Sequence, residues 1–339
     1  MTAEHDGRDR YEAQVVAALD AVDVRQPGAF LWFGRRVSAF APGLRAQGDT
    51  ALARRLLVQC IQQRLYADFY RDGAPRPQPG GPVTPADHGG EFARTLSQAN
   101  CGRGSWQGGW QVAALDGSTI AVVRPDGLRL LATADDCRAD GALSAGADVH
   151  VRVPKELLGY SPGYYHALGD TPSPIGRADD RVRLSWNIAA TGAVSLVARL
   201  TFALNGAQLP FSLGLPDNPA RYARRDTAVL VLARTDFAAA ITLLRPLLRA
   251  LGPHLADGAP AFSKPLARGL ALAEEPGNGQ SFGEHRCQLL AEAIVAASEH
   301  GLRTVDQRLA IVRERFRDAG VSLDAPYLRP GSDDAYKFS

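Results

Sequence analysis

Three short apolar runs, residues 110–114, 119–123 and 128–132, follow one another with an Asp-Gly pair after each of the first two, Asp116-Gly117 and Asp126-Gly127. Asp-Gly readily takes the left-handed backbone of a two-residue turn, so the spacing predicts antiparallel strands joined by tight hairpins. Residues 149–153 add a further strand, and RVRLSWNI at 181–188 alternates polar and apolar side chains as a half-buried strand does. Residues 210–215 and 227–232 also read as strands.

Helical patterns are interspersed with these. Leu57, Ile61, Leu65 and Phe69 recur every four residues and share one helix face, and the first 70 residues as a whole read as helical. Val197, Leu200 and Leu204 mark a helix over 194–204 with Gly206 beyond its end. Phe237, Ile241, Leu244, Leu248 and Leu251 mark another, with a kink expected at Pro246. Ser281 to Glu284 and Thr304 to Gln307 are capping boxes that open two more, the first running to His300 and the second stopping at Gly320. No regular βαβ rhythm joins the elements. The expected fold class is α+β: a mixed, partly antiparallel sheet packed with helices, and a helical N-terminal region. The Pro/Gly-rich stretch at 72–90 reads as a linker or loop between a helical region at 1–71 and an α+β domain at 91–339.

With 45% apolar and 22% charged residues in 339, the chain is not a disordered one. Thirty-eight basic against 36 acidic side chains leave a net charge of +2, so no bulk electrostatic grip on nucleic acid or an anionic membrane is expected. Cys60, Cys101, Cys137 and Cys287 form no CxxC and have no zinc-ligand spacing; they read as reduced thiols of a cytoplasmic protein. The charged N-terminus does not resemble a signal peptide, and no apolar run reaches the length of a membrane span.

Neither HExxH nor GxxxxGK[ST] occurs. The glycines at 102, 104, 108 and 109 precede a strand instead of opening a helix, so they read as a flexible turn and not as a dinucleotide loop. The densest polar region is 260–286, read as a loop leading into a helix, with Lys264, Arg268, Glu274, Glu275, Ser281, His285 and Arg286. A helix start at Ser281 suits an anion, with His285 and Arg286 beside it; a capped surface helix with a solvated His-Arg pair is the other reading. Arg221, Arg224 and Arg225 crowd before a strand, where Asp226 can orient one of them, or all four can line a solvated turn. Tyr164, Tyr165 and His166 form a third group, which reads first as packed, hydrogen-bonded residues.

The ordered set NCGRGSWQGGWQV, SPGYYHALGD, RVRLSWNI, LTFALN, PFSLGLPDNPARYARRDTAVLVL, PAFSKPLARGLALAEEPGNGQSFGEHRCQLLAEAI and PYLRPGS resembles the HopA1 family over residues 100–332. That resemblance implies a phosphoserine/phosphothreonine lyase working beside a separate phosphotransferase. The kinase phosphorylates a precursor peptide, and the lyase eliminates phosphate to leave dehydroalanine or dehydrobutyrine, as in lanthipeptide and thioamitide pathways. A family member without chemistry of its own, binding the precursor peptide or supporting the kinase, is the alternative. A secreted effector acting on host kinases is a third reading. The chemistry requires no metal and no organic cofactor. It does require a base for the α-proton, cations for the phosphate and help for the developing enolate. On the matching segments the base is Lys264 and the acid His285. Arg224, Arg286 and Arg183 are the phosphate ligands, and Asp226 and Glu274 orient cations. Asn187 and Asn205 bond the peptide or the enolate oxygen, while Ser281 and Tyr165 complete the substrate-binding set. The pattern departs at Gly214, where the family carries a lysine, and at Val231, where it carries a tyrosine.

Overall fold

The computed structural model describes residues 2–26, 28–39, 50–75, 90–125, 127–172 and 180–338. Helix α1 (Thr2–Ala21) leads into an antiparallel meander of β1 (Val22–Gln26), β2 (Ala29–Trp32) and β3 (Arg35–Ser38). The expected helical N-terminal region is therefore interrupted by strands. Their cause is local: Phe33 (φ 47°) and Gly34 (φ 77°) supply the two left-handed residues of a tight hairpin turn. Val22 and Val24, and Phe30 and Trp32, are inward at period two. Helix α2 (Thr50–Leu65) buries Leu57, Ile61 and Leu65 as the four-residue stripe requires. It continues into one π-helical turn, Tyr66–Tyr70, which buries Phe69. Most of the expected linker, residues 76–89, lies outside the described residues. Helix α3 (Glu91–Ala99) follows.

The hairpin region forms a five-stranded sheet of β4 (Ser105–Asp116), β5 (Thr119–Val123), β6 (Arg129–Ala132), β7 (Cys137–Arg138) and β8 (Asp148–Val153), in the order β6-β5-β4-β8-β7. Gly117 turns the first hairpin with φ 57°. Asp126 of the second Asp-Gly lies outside the described residues. The glycine-rich stretch is partly strand: the register between β4 and β8 shifts between Gln107 and Trp110, so Gly108-Gly109 forms a bulge where a flexible turn was expected. Trp110, Val112, Ile120, Val122, Val149 and Val151 give this sheet a small core of its own.

The main sheet has seven strands: β9 (Glu156–Leu157), β10 (Tyr164–Leu168), β11 (Arg181–Trp186), β12 (Ser212–Pro216), β13 (Ala228–Ala233), β14 (Lys264–Ala267) and β15 (Leu270–Glu274), ordered β14-β15-β11-β13-β12-β10-β9. Every pairing is antiparallel. Residues 260–286 are thus not a plain loop: β14 and β15 form a hairpin turned at Arg268-Gly269, with Gly269 at φ 65°. Helices α4 (Ala190–Gly206), α5 (Phe237–Leu251, running through Pro246), α6 (Phe282–Glu299) and α7 (Val305–Asp318) complete an α+β fold. Both capping boxes form, Ser281 with Glu284 and Thr304 with Gln307.

Strand alternation divides the main sheet into two faces. Val182, Leu184, Trp186, Leu213, Leu215, Leu230 and Leu232 join Leu196, Leu200 and Leu244 of the helices in one core, which also takes in Leu19 and Ile61 of the N-terminal region. Each such leucine, fully buried, contributes about 1.5–3 kcal/mol. The alternate residues Arg183, Val229, Val231, Ser212, Gly214 and His166 pair across the opposite face. That face carries the polar cluster described next.

Candidate active site

Arg183, on β11, is largely shielded, and its Nε donates to Glu275 Oε1 at 2.7 Å. The other oxygen of Glu275 accepts from the Phe282 backbone N–H at 3.0 Å, so this carboxylate occupies the N-terminus of α6 while it orients Arg183. Arg224 lies just before β13. It forms a two-pronged pair with Asp226, Nη2 to Oδ2 at 2.6 Å, and donates through Nη1 to the Tyr164 hydroxyl. Burial works against both guanidinium charges, but Glu275 beside Arg183 and Asp226 beside Arg224 more than reverse it.

The π-helical turn brings Tyr66 and Tyr70 to the same place. Their rings stack at 5.4 Å. Tyr66 feels the charges of Asp226, Arg224 and Arg183, and Tyr70 those of Arg183 and Asp226. Burial, reinforced by Asp226, pushes the Tyr66 hydroxyl up to about 12, so it stays a hydrogen-bond donor at neutral pH. A side chain at position 283 would collide with the Tyr70 ring, since a Cβ there would lie 2.4 Å from its Cε1. Glycine lets α6 approach the site this closely.

His166, on β10, continues the polar face. Its ring stands perpendicular to that of Tyr160 at 5.3 Å and lies 6.2 Å from the Tyr164 ring. On β12, a Cβ at Gly214 would come within 3.1 Å of His166 Cε1 and 3.2 Å of Nδ1. The imidazole therefore covers the spot where a side chain from Gly214 would rise. Its Nε2 is buried without a hydrogen-bond partner, and burial pulls its pKa below the ordinary histidine value.

A second polar group holds the C-terminal segment. Lys264 Nζ pairs with Asp334 Oδ2 at 2.5 Å, donates to the Tyr336 carbonyl at 2.9 Å and lies 5.4 Å from the Tyr327 ring. Glu274 accepts from Ser332 Oγ at 2.8 Å, the Arg329 N–H at 2.9 Å and the Tyr336 hydroxyl at 2.5 Å. Arg286 is fully buried and donates to the Pro326 and Leu328 carbonyls, each at 2.7 Å, and to His285 Nδ1 at 2.5 Å. Arg286 feels Glu274 of its own group and also Glu275 and Tyr70, which act on Arg183 as well, so the two groups are electrostatic neighbours.

Burial first, then Arg286, depress the pKa of His285 to about 4, with Glu292 opposing and Arg315 assisting. The unfolded chain titrates this ring near 6.5 and so binds the extra proton first as pH falls. Stability is therefore expected to decline from about pH 6.5 toward about 4. Denaturant midpoints across that window, in the wild type and in His285→Gln, check it: the variant should lose part of the slope.

The remaining candidates sit in local structure. Asn187 Nδ2 donates to the Asp257 carbonyl at 2.8 Å, and Asn205 Oδ1 accepts from the Asp170 N–H at 2.9 Å. Tyr165 donates to Glu156 Oε2 at 2.5 Å and accepts from Asn100 at 3.0 Å. Ser281 caps α6 and donates to Glu284 Oε2 at 2.8 Å. Residues 279–283 also spell G-x-S-x-G, a pattern that in hydrolases exposes a nucleophile on a strand-to-helix turn. Here the hydroxyl is engaged with Glu284, and the nearby His285 Nδ1 accepts from Arg286 instead of from the serine.

The structure thus gathers Arg183, Arg224 and Asp226, and sets Lys264, Glu274, His285 and Arg286 in a neighbouring group. Reasoning from the sequence missed Tyr66, Tyr70 and the orienting role of Glu275. The i,i+4 spacing of the two tyrosines was the available signal, beside the stronger apolar stripe. Among the described residues, no three His, Cys, Asp or Glu side chains are grouped to hold a metal ion, and no helix is long and apolar enough to cross a membrane.

No curated protein matches the chain. Among solved structures, the effector protein from Pseudomonas syringae pv. tomato strain DC3000 is 14% identical, covering 97% of this chain and 100% of that one at a TM-score of 0.48. The effector protein from Pseudomonas syringae pv. syringae strain 61 is 18% identical over 49% of this chain and 63% of that one, at 0.37. The model of the HopA1 effector protein family matches residues 158–328, half of the chain and the stretch that carries Arg183, Arg224, Asp226, His166 and Glu275. With β10 through α7 inside that match, the chain belongs to the HopA1 effector protein family.

Proposed function

We propose that this protein is a phosphoserine/phosphothreonine lyase that acts on a precursor peptide phosphorylated by a separate kinase, leaving dehydroamino acids in a lanthipeptide- or thioamitide-type pathway. One observation carries the reading: two guanidinium groups, Arg183 and Arg224, stand with the tyrosines Tyr66, Tyr70 and Tyr164 on one face of the main sheet. A phosphate dianion is matched by such donors, because charge-assisted hydrogen bonds to its oxygens are stronger than neutral ones. Asp226 and Glu275 orient the two cations. In the reaction the Cα–H proton goes to a base and its electrons form the Cα=Cβ bond. The Cβ–O electrons leave with the phosphate. Lys264 enters as base only when it parts from Asp334.

That engagement of Lys264 favours a second reading, in which the chain binds the precursor peptide or supports the kinase without chemistry of its own. A kinase-phosphorylated precursor peptide distinguishes the two. The lyase reading expects loss of one phosphoric acid per phosphorylated residue and a product that adds thiols. A peptide that binds yet stays intact, with the kinase present as well, establishes the binding module instead.

A further inference from the structure

We propose that His166 is the proton-transfer residue of this site, taking the α-hydrogen of a phosphoserine or phosphothreonine whose phosphate is held on the Arg224 side of Tyr164. The proposal rests on the elimination reading above and names its base.

The placement is the first argument. The Tyr164 ring stands 6.2 Å from the His166 ring and 5.7 Å from Arg224 Cζ, with Arg221 Cζ at 5.3 Å. In a phosphorylated serine three bonds separate Cα from phosphorus, a span of roughly 3–4 Å. His166 and the two guanidinium groups are thus neighbours of one tyrosine ring, a base and cations for the two ends of that span. Gly214 contributes the second argument. With no side chain there, the Nδ1–Cε1 edge of the imidazole lies directly over the β12 backbone.

The third argument is availability. Asp226 is taken up by Arg224, Glu275 by Arg183 and Phe282, Lys264 by Asp334, and Lys155 by the Ser97 and Asn100 carbonyls. His166 has a buried Nε2 without a partner. The rings of Tyr160 and Tyr164 neighbour its own, Gly214 and Leu157 are its cross-strand partners, and Arg221 and Arg224 lie against the Tyr164 ring. In these surroundings burial keeps the imidazole neutral at pH 7, with a lone pair to use.

The step balances within the site. The imidazole takes the proton as the Cα–H electrons form the double bond and the Cβ–O electrons leave with phosphate. The imidazolium then returns the proton to the departing group, which leaves as HPO4 dianion, so no further acid or co-reactant is consumed.

The test follows the His166 side chain by NMR across a pH titration of the full chain, with inorganic phosphate as the probe. A bound anion stabilises the imidazolium, so phosphate is expected to raise the midpoint by about one pH unit or more. Arg224→Gln should abolish that rise. With kinase-phosphorylated peptide, His166→Gln is expected to lower kcat by about 100-fold or more at little change in KM. Gly214→Ala, which crowds the ring by a few tenths of an ångström, should lower kcat and leave phosphate binding intact. A midpoint indifferent to phosphate overturns the proposal. If the wild type and His166→Gln consume the peptide equally, elimination stands and the assignment of His166 falls. If the midpoint moves but no peptide is consumed, the elimination reading falls with it, and an anion site beside His166 remains.

Discussion

Asp226→Ala is expected to cost about 3–5 kcal/mol of folding stability, because it leaves the Arg224 guanidinium buried without its carboxylate. The side chains are 6% and 2% exposed, so water cannot take the partner's place. Urea unfolding of the single variants and of Arg224→Met/Asp226→Leu separates the two roles of this pair. The double variant replaces both charges with apolar groups and should recover most of the loss, since a matched buried pair contributes little net stability against a well-packed apolar one. Phosphate binding should not recover with it. If Asp226→Ala unfolds within about 1 kcal/mol of the wild type, where exposed pairs fall, the pair is wetter than described.

Glu274→Ala should release the C-terminal segment. Its carboxylate is 1% exposed and gathers Ser332, the Arg329 N–H and the Tyr336 hydroxyl, with Arg234 Nε at 3.4 Å. Truncation strands those donors together, and a buried unsatisfied donor costs about 1–3 kcal/mol. Allowing for relaxation, the expected loss is about 3–5 kcal/mol, with early proteolysis near residues 329–338. Glu274→Gln keeps one acceptor oxygen and should fall between. Limited proteolysis read by mass spectrometry checks the order. An Ala variant as resistant as the wild type would mean that Lys264 and Arg286 hold the segment unaided.

The two variants enter the two polar groups from different points, and their comparison bears on the proposed chemistry. Glu275, next to Glu274, orients Arg183 from the end of β15. Loosening the C-terminal segment is therefore expected to reach Arg183 through one peptide unit. Asp226→Ala acts on the other cation from inside the Arg224 pair.

What could be read directly was short in range. The stripe of Leu57, Ile61, Leu65 and Phe69 set one face of a helix, and both capping boxes close within three residues. The Asp116-Gly117 turn and the alternation of RVRLSWNI are equally local. The meander at 22–38 escaped because its turn signal, Phe33-Gly34, carries only one residue that favours the left-handed region. The hairpin of β14 and β15 escaped because its inner strand, fully buried, lacks alternation.

The sequence by itself determined the elements whose signals lie within a few residues of one another, such as the α2 stripe, the two capping boxes and the Asp116-Gly117 hairpin. It also supplied the cations and carboxylates. Only the tertiary structure decided which charges meet: Lys264 finds Asp334 at a separation of 70 residues, and Arg183 finds Glu275 at 92. Desolvation makes a buried charge depend on its partner, and the partner is chosen by strand register and helix packing across the whole chain. The gathering of Tyr66, Arg183 and Arg224, and the placing of His166 beside Tyr164, therefore became visible only in three dimensions.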